Sequence, residues 1–239
     1  METEKQFDLD LFTREAQSNA AYEKIKTKKV LIAGCGNVGS VLATILAESG
    51  IPEMILIDFD DYSYTDNRQL YSTEESVGKN KAIITALEVS RRAPCYARPY
   101  NGNAVTLLRD NIIRPTGYDI FLCVDSVQAR KDIVNIIKEK LCEAERGKIL
   151  DVGVERNAIQ IANYRNKSPE DLYKQDNGHA ACVTIPLASF KAFEAAAIMA
   201  GAYFALYETE ESDEDEPMVP YDHALQIYTN TMTTFKRKI

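Results

Sequence analysis

Tryptophan is absent from this 239-residue chain, histidine occurs twice, and the five cysteines never form a Cys-x-x-Cys pair. No zinc site of the usual spacing is therefore seeded, and His179 and His223 are too few and too far apart to announce a triad or a metal centre. Cys35, Cys95, Cys123, Cys142 and Cys182 are odd in number and widely spaced, so they read as reduced, mostly buried thiols. No apolar run approaches the roughly 18 residues that a bilayer crossing requires, and the first ten residues hold no apolar signal core. A cytoplasmic location without a membrane partner is expected. Basic residues are also short, 28 Lys and Arg against 36 Asp and Glu, and a net charge of −8 lacks the positive field that nucleic acid requires. The excess is local. Seven carboxylates crowd residues 208–216 without a single base, which leaves the rest of the chain nearly neutral and marks 208–217 as a solvated, disordered insert.

What is present, 45% apolar and 27% charged residues, suits one globular domain over 1–239. Residues 9–27, within an N-terminal helical segment at 1–27, have apolar positions at helical spacing, and 28–33 then form a buried strand. A glycine turn at 34–39, a helix at 40–49 and a second buried strand at 54–59 complete a βαβ unit. Helices are expected at 79–92, 105–113 and 126–145, and strands at 97–101 and 118–124. Residues 149–154 and 158–164 alternate around a polar turn as an antiparallel hairpin, and 165–181 read as a surface loop. Residues 187–206 are Ala-rich with Lys191 and Glu194 inside, which fits a buried helix, and 223–235 fit a terminal edge strand. The fold class is α/β: a Rossmann-like, mostly parallel sheet flanked by helices and continued by antiparallel strands.

Gly34-x-Gly36-x-x-Gly39 between strand and helix lets the backbone approach a phosphate held at the helix N-terminus. A helix packed tightly on a strand would give the same glycines without a ligand. Asp58 closes the next strand 19 residues beyond Gly39, where a carboxylate accepts hydrogen bonds from ribose hydroxyls. A dehydrogenase does not account for the polar groups beyond that strand: Asp58-Phe59-Asp60, Asn67-Arg68-Gln69, Lys79-Asn80-Lys81 and Asp125 place cations and carboxylates around one crevice. Taken singly, Arg68 and Lys81 also fit surface cations, and Asp125 a helix N-cap.

Over residues 10–206 this arrangement resembles the ThiF/MoeB/HesA family and the adenylation domains of ubiquitin-activating enzymes. The resemblance implies a MgATP-dependent adenylyltransferase acting on the C-terminal glycine carboxylate of a ubiquitin-like or sulfur-carrier protein ending in Gly-Gly. It puts Gly34, Gly36, Asn37 and Gly39 in the phosphate turn, Asp58 on the ribose, Asp60 as the acid two residues later, and Arg68 and Gln69 as the family's Arg-Gln pair. Lys81 takes the position of the lysine that reaches the phosphates, and Asp125 that of the magnesium ligand. Arg14, in Phe12-Thr13-Arg14, matches an arginine that crosses a homodimer interface into the partner's site. A carboxylate attacking the α-phosphorus is already ionised near neutral pH, so orientation and charge neutralisation carry the chemistry.

The chain departs from the family at Thr65, where an asparagine usually stands, and the segment between Asp60 and Arg68 is one residue short, with Asn67 or Asp66 placed to take over that contact. The family's zinc cysteines are absent, so magnesium is the only metal expected. Cys182, after the surface loop, is the best thioester candidate, with packing as its other reading. Two rival functions stand beside adenylylation: a noncatalytic dimerisation or scaffold module, and an NAD-dependent oxidoreductase using the same glycine turn.

Overall fold

Residues 30–33 and 54–57 are apolar at every position because both faces of their sheet are covered. Side chains alternate between the faces: Val30, Ile32, Met54 and Leu56 pack into one core layer, and Leu31, Ala33, Ile55 and Ile57 into the other. The structure, a computed structural model, describes residues 20–66, 69–154, 159–164 and 189–208. The elements are α1 (Ala20–Ile25), β1 (Lys29–Ala33), α2 (Asn37–Glu48), β2 (Glu53–Asp58), α3 (Lys81–Arg92), β3 (Tyr96–Asn101), α4 (Ala104–Arg109), β4 (Tyr118–Leu122), α5 (Val127–Lys140), β5 (Ile149–Val154), β6 (Ile159–Asn163) and α6 (Ser189–Glu208).

Among the described residues the sheet runs β3-β2-β1-β4-β5-β6. Every pairing from β3 to β5 is parallel, and β6 returns antiparallel to β5. Helices α1, α2, α3 and α6 contribute to the first core layer, α4 and α5 to the second. The chain winds outward from β1 through β2 to β3 and then crosses back to β4 on the other side of β1. That reversal opens a crevice at the C-terminal ends of β1 and β4, the usual ligand position in such sheets.

Helix α6 closes the first face along α2 and is anchored by a buried carboxylate. Asp119 on β4 accepts hydrogen bonds from the Tyr203 and Tyr207 hydroxyls at 2.8 and 2.5 Å, and from the Lys148 amide at 2.6 Å. Burial is the first cause that pushes the Tyr203 phenol up, with the Asp119 charge next. No described helix is long and apolar enough to cross a membrane.

Several expected boundaries are corrected, and capping explains most of the differences. The helix expected at 105–113 ends at Arg109, because Asn111 adopts a left-handed φ of 56° and Lys140 Nζ takes the Leu108 carbonyl at 3.1 Å. The helix expected at 126–145 stops at Lys140, where Leu141 turns extended, and 143–145 form a separate 3-10 turn. Its cap is Ser126, whose Oγ accepts the Ala129 N–H at 3.2 Å, so the N-cap reading of Asp125 does not hold. The helix expected at 79–92 starts at Lys81, and Phe59 lies beyond β2 with 61% exposure. Helix α2 starts earlier than expected, at Asn37, so the glycine turn overlaps its first turn. Helix α1 spans Ala20–Ile25, and residues 1–19 lie outside the described residues, as do the loop at 165–181, the acidic run beyond Glu208 and the strand expected at 223–235.

Candidate functional site

A cleft of about 510 Å³ occupies the crevice. Of the residues singled out from sequence, Gly34, Gly36, Asn37, Asp58, Asp60, Gln69, Lys81 and Asp125 line it. Gly39 lies beneath the turn, while Arg14, Asn67 and Arg68 fall outside the described residues.

Two of the three glycines are required by the protein itself. Gly34 has φ 94° and sits so close to β4 that a Cβ would meet the Cys123 carbonyl oxygen at 2.6 Å. A Cβ on Gly39 would lie 1.8 Å from the Gly34 carbonyl oxygen, so the turn closes on itself only without one. Gly36 differs, because a Cβ there would meet nothing within 4 Å. Its missing side chain leaves space in the cleft, beside the first turn of α2, which Gly36 caps without a side-chain hydrogen bond. The Asn37 Oδ1 atom is buried there with no hydrogen-bond partner in the protein.

Asp58 is 9% exposed and accepts the Cys35 amide at 2.6 Å and the Asp60 amide at 2.8 Å. Burial pushes its carboxyl above the usual range, against the pull of those two amides. Asn80 ties this strand end to α3. Its Oδ1 accepts the Ala82 and Ile83 amides, and its Nδ2 donates to the Asp58 and Asp60 carbonyls, both at 3.0 Å. The next residue, Lys81, is 7% exposed, with Nζ 3.4 Å from Asp66 Oδ1 and 3.7 Å from Asp60 Oδ2. Asp66 also accepts Gln69 Nε2 at 2.6 Å and both the amide and the hydroxyl of Ser63 at 2.8 Å. Burial would raise Asp66, but the Ser63 donors and the Lys81 charge overrule it and hold the carboxyl below its usual range.

The opposite wall carries an exposed Asp125 on the β4–α5 connection and, behind it, Arg130 at 3% exposure. The Arg130 guanidinium pairs with Asp151, donates to the Val152 carbonyl at 2.7 Å and also reaches the Val124 carbonyl. Tyr164 donates its hydroxyl to the second Asp151 oxygen at 2.7 Å. Cys35 and Cys95 are buried as expected and Cys142 is exposed, a partial correction, while Cys182 lies outside the described residues. Cys123 lines the cleft, its thiol pushed up to about 12 by burial.

Sequence reasoning did not assign roles to Asn80 and Arg130. Asn80 had a local signal, an Asn directly before a helical run. Arg130 had none, since its partners sit on β5 and at the end of β4.

No cluster of three or more His, Cys, Asp or Glu that could hold a metal occurs among the described residues. Asp125 alone fits a magnesium ion that keeps its waters and takes its other ligands from a bound phosphate, which is how that ion usually binds. The open space at Gly36 fits a ligand of that kind.

Residues 5–231 of the chain match the ThiF family. Over 150 residues the chain is 29% identical to ubiquitin-like modifier-activating enzyme 5 of Culex quinquefasciatus and 31% identical to that of Drosophila grimshawi. Each match covers 58% of this chain and 36% of the relative, so the chain spans about a third of the length of these proteins. Among solved structures, E. coli MccB with ATP superposes with a TM-score of 0.59 at 23% identity, covering 79% of this chain and 58% of that one. E. coli tRNA N6-threonylcarbamoyladenosine dehydratase, TcdA, in complex with AMP gives 0.51 at 22% identity, covering 62% and 60%. These two share the fold.

Proposed function

Because the chain belongs to the ThiF family, we propose that its cleft binds MgATP and that the protein adenylylates the C-terminal glycine carboxylate of a ubiquitin-like or sulfur-carrier protein. The observation that carries this reading is one cleft lined at once by the glycine turn, Asp58, Lys81 and Asp125. In it Asp58 accepts the ribose hydroxyls with the lone pairs that the Cys35 and Asp60 amides leave open. The first-turn amides of α2 and Lys81 contact the phosphates, and Arg68, Asn67 and Gln69 complete their charge and hydrogen bonding. Asp125 would hold magnesium, whose charge would offset that of the departing pyrophosphate. The carrier carboxylate attacks the α-phosphorus already ionised, so no side chain has to remove a proton. Solved structures that share the fold hold ATP in MccB and AMP in TcdA, which supports a nucleotide as the ligand.

Lys81→Ala is expected to weaken ATP binding by about 1.5–3 kcal/mol, the value of a charged hydrogen bond, or roughly 10- to 150-fold in Kd. Calorimetric titration with MgATP and with NAD checks it. NAD binding as tightly as ATP would overturn the adenylation reading, and ATP binding without carrier-dependent pyrophosphate exchange would assign the chain to the noncatalytic relatives.

The working unit proposed is a homodimer in which Arg14 enters the partner's cleft. Arg14→Ala and Asp125→Ala are each expected to abolish adenylylation, and mixing the two inactive proteins should restore about a quarter to a half of it by rebuilding one complete site per mixed dimer. No recovery after demonstrated subunit exchange would place Arg14 outside the site.

A further inference from the structure

Among its described lining residues the cleft carries three carboxylates and two cations. Asp58, Asp60 and Asp125 line it with Lys81 and Arg130, Arg130 is paired with Asp151, and Asp66 lies 3.4 Å from Lys81 Nζ. Lys81 is held between Asp60 and Asp66. Asp66 is the more engaged of the two. Its carboxylate receives four hydrogen bonds, from the Ser63 amide and hydroxyl, from Gln69 Nε2 and from Lys81 Nζ, so it is fixed as an anion beside Lys81. Because Gln69 must donate to that anion, its amide oxygen is turned the other way, and this atom is buried without a partner.

Resting on the reading of the cleft as a nucleotide triphosphate site, we infer that Asp66 is a specificity-determining residue: a resident counter-ion to Lys81 that makes the cleft accept a polyphosphate only as its divalent-cation complex. A bare triphosphate reaching Lys81 must approach the fixed Asp66 anion, and in a partly buried site that repulsion is strong. A cation bound to the phosphates removes it. The carboxylate also keeps the buried ammonium paired while no nucleotide is present.

The test is a titration of the full-length protein and of Asp66→Asn with ATP and with inorganic tripolyphosphate, each in excess magnesium and in EDTA. Asparagine keeps the size of the side chain and removes its charge. The wild type is expected to bind at least about tenfold more weakly in EDTA, and the variant to narrow that gap to roughly two- to threefold by gaining affinity for the free anion. In a Lys81→Gln background Asp66→Asn should still narrow the gap, because the repulsion lies between the carboxylate and the phosphates. An unchanged gap in Asp66→Asn, or a variant that binds more weakly in magnesium and no better in EDTA, overturns the inference, the second outcome making Asp66 a ligand of the cation. Failure of the wild type to bind either probe in magnesium overturns the nucleotide reading and this inference with it, whereas good ATP binding with an unaltered gap overturns this inference alone. Thermal melts of both variants separate these results from misfolding.

Discussion

Replacing Arg130 by methionine is expected to destabilise the protein by about 3–5 kcal/mol, the cost of leaving one partner of a buried ion pair without the other. Asp151 is 1% exposed and pairs with the guanidinium, so removing the arginine takes that cation from its buried charge. The Val152 and Val124 carbonyls lose a charged donor in the same substitution. The paired substitution Arg130→Met with Asp151→Leu should recover more than half of the loss, because apolar residues of similar volume often replace a buried pair at little cost. Urea unfolding monitored by circular dichroism measures both. A loss below about 1 kcal/mol for the single variant would mean that water enters behind the wall and solvates Asp151. The Val124 carbonyl lies one residue before Asp125, so the single variant is also expected to lose magnesium-dependent ATP affinity beyond what its stability explains.

The partners of Arg130 also show where the sequence stops being informative. Residues 30–33 and 54–57 announce buried parallel strands because every side chain must be apolar when helices cover both faces, and that is a local property. The glycine turn, Asp58, Lys81 and Asp125 are legible for a related reason: each stands at the C-terminal end of a strand or the start of a helix, and strand–helix alternation fixes where those ends meet. Helix ends are less legible, since periodicity reports the apolar face and not the cap. Asn80 and Ser126 set the starts of α3 and α5, and Lys140 caps α4 from an element more than thirty positions away. Asp66 and Arg130 are the least legible of all. Asp66 pairs with a lysine fifteen residues on, and Arg130 with the Asp151 side chain and the Val152 carbonyl on β5, so neither pairing has a fixed local spacing to betray it.

Alanine at Gly36 and alanine at Gly39 are expected to fail in opposite ways, although the two glycines belong to one motif. At Gly39 the new methyl would lie 1.8 Å from the Gly34 carbonyl oxygen, a backbone atom that cannot rotate away. Gly34 in turn is pressed against the Cys123 carbonyl at the end of β4, so moving it disturbs β1 and β4 together. Gly39→Ala should therefore lose about 3 kcal/mol or more of stability, at the severe end of overpacking. At Gly36 the new methyl meets nothing, and φ is −75°, open to any residue, so Gly36→Ala should fold with a stability within about 1 kcal/mol of the parent. The same methyl projects into the space proposed for the phosphates at the start of α2, where displacing a reacting group by about 1 Å costs on the order of 10²-fold. Gly36→Ala should then keep its melting temperature while losing about 10²-fold in ATP affinity or adenylylation, read by calorimetry and pyrophosphate exchange on one preparation. Undiminished ATP binding by a folded Gly36→Ala protein would move the nucleotide away from the glycine turn, and with it the role proposed for Lys81, because the amides of α2 and that lysine flank the same space.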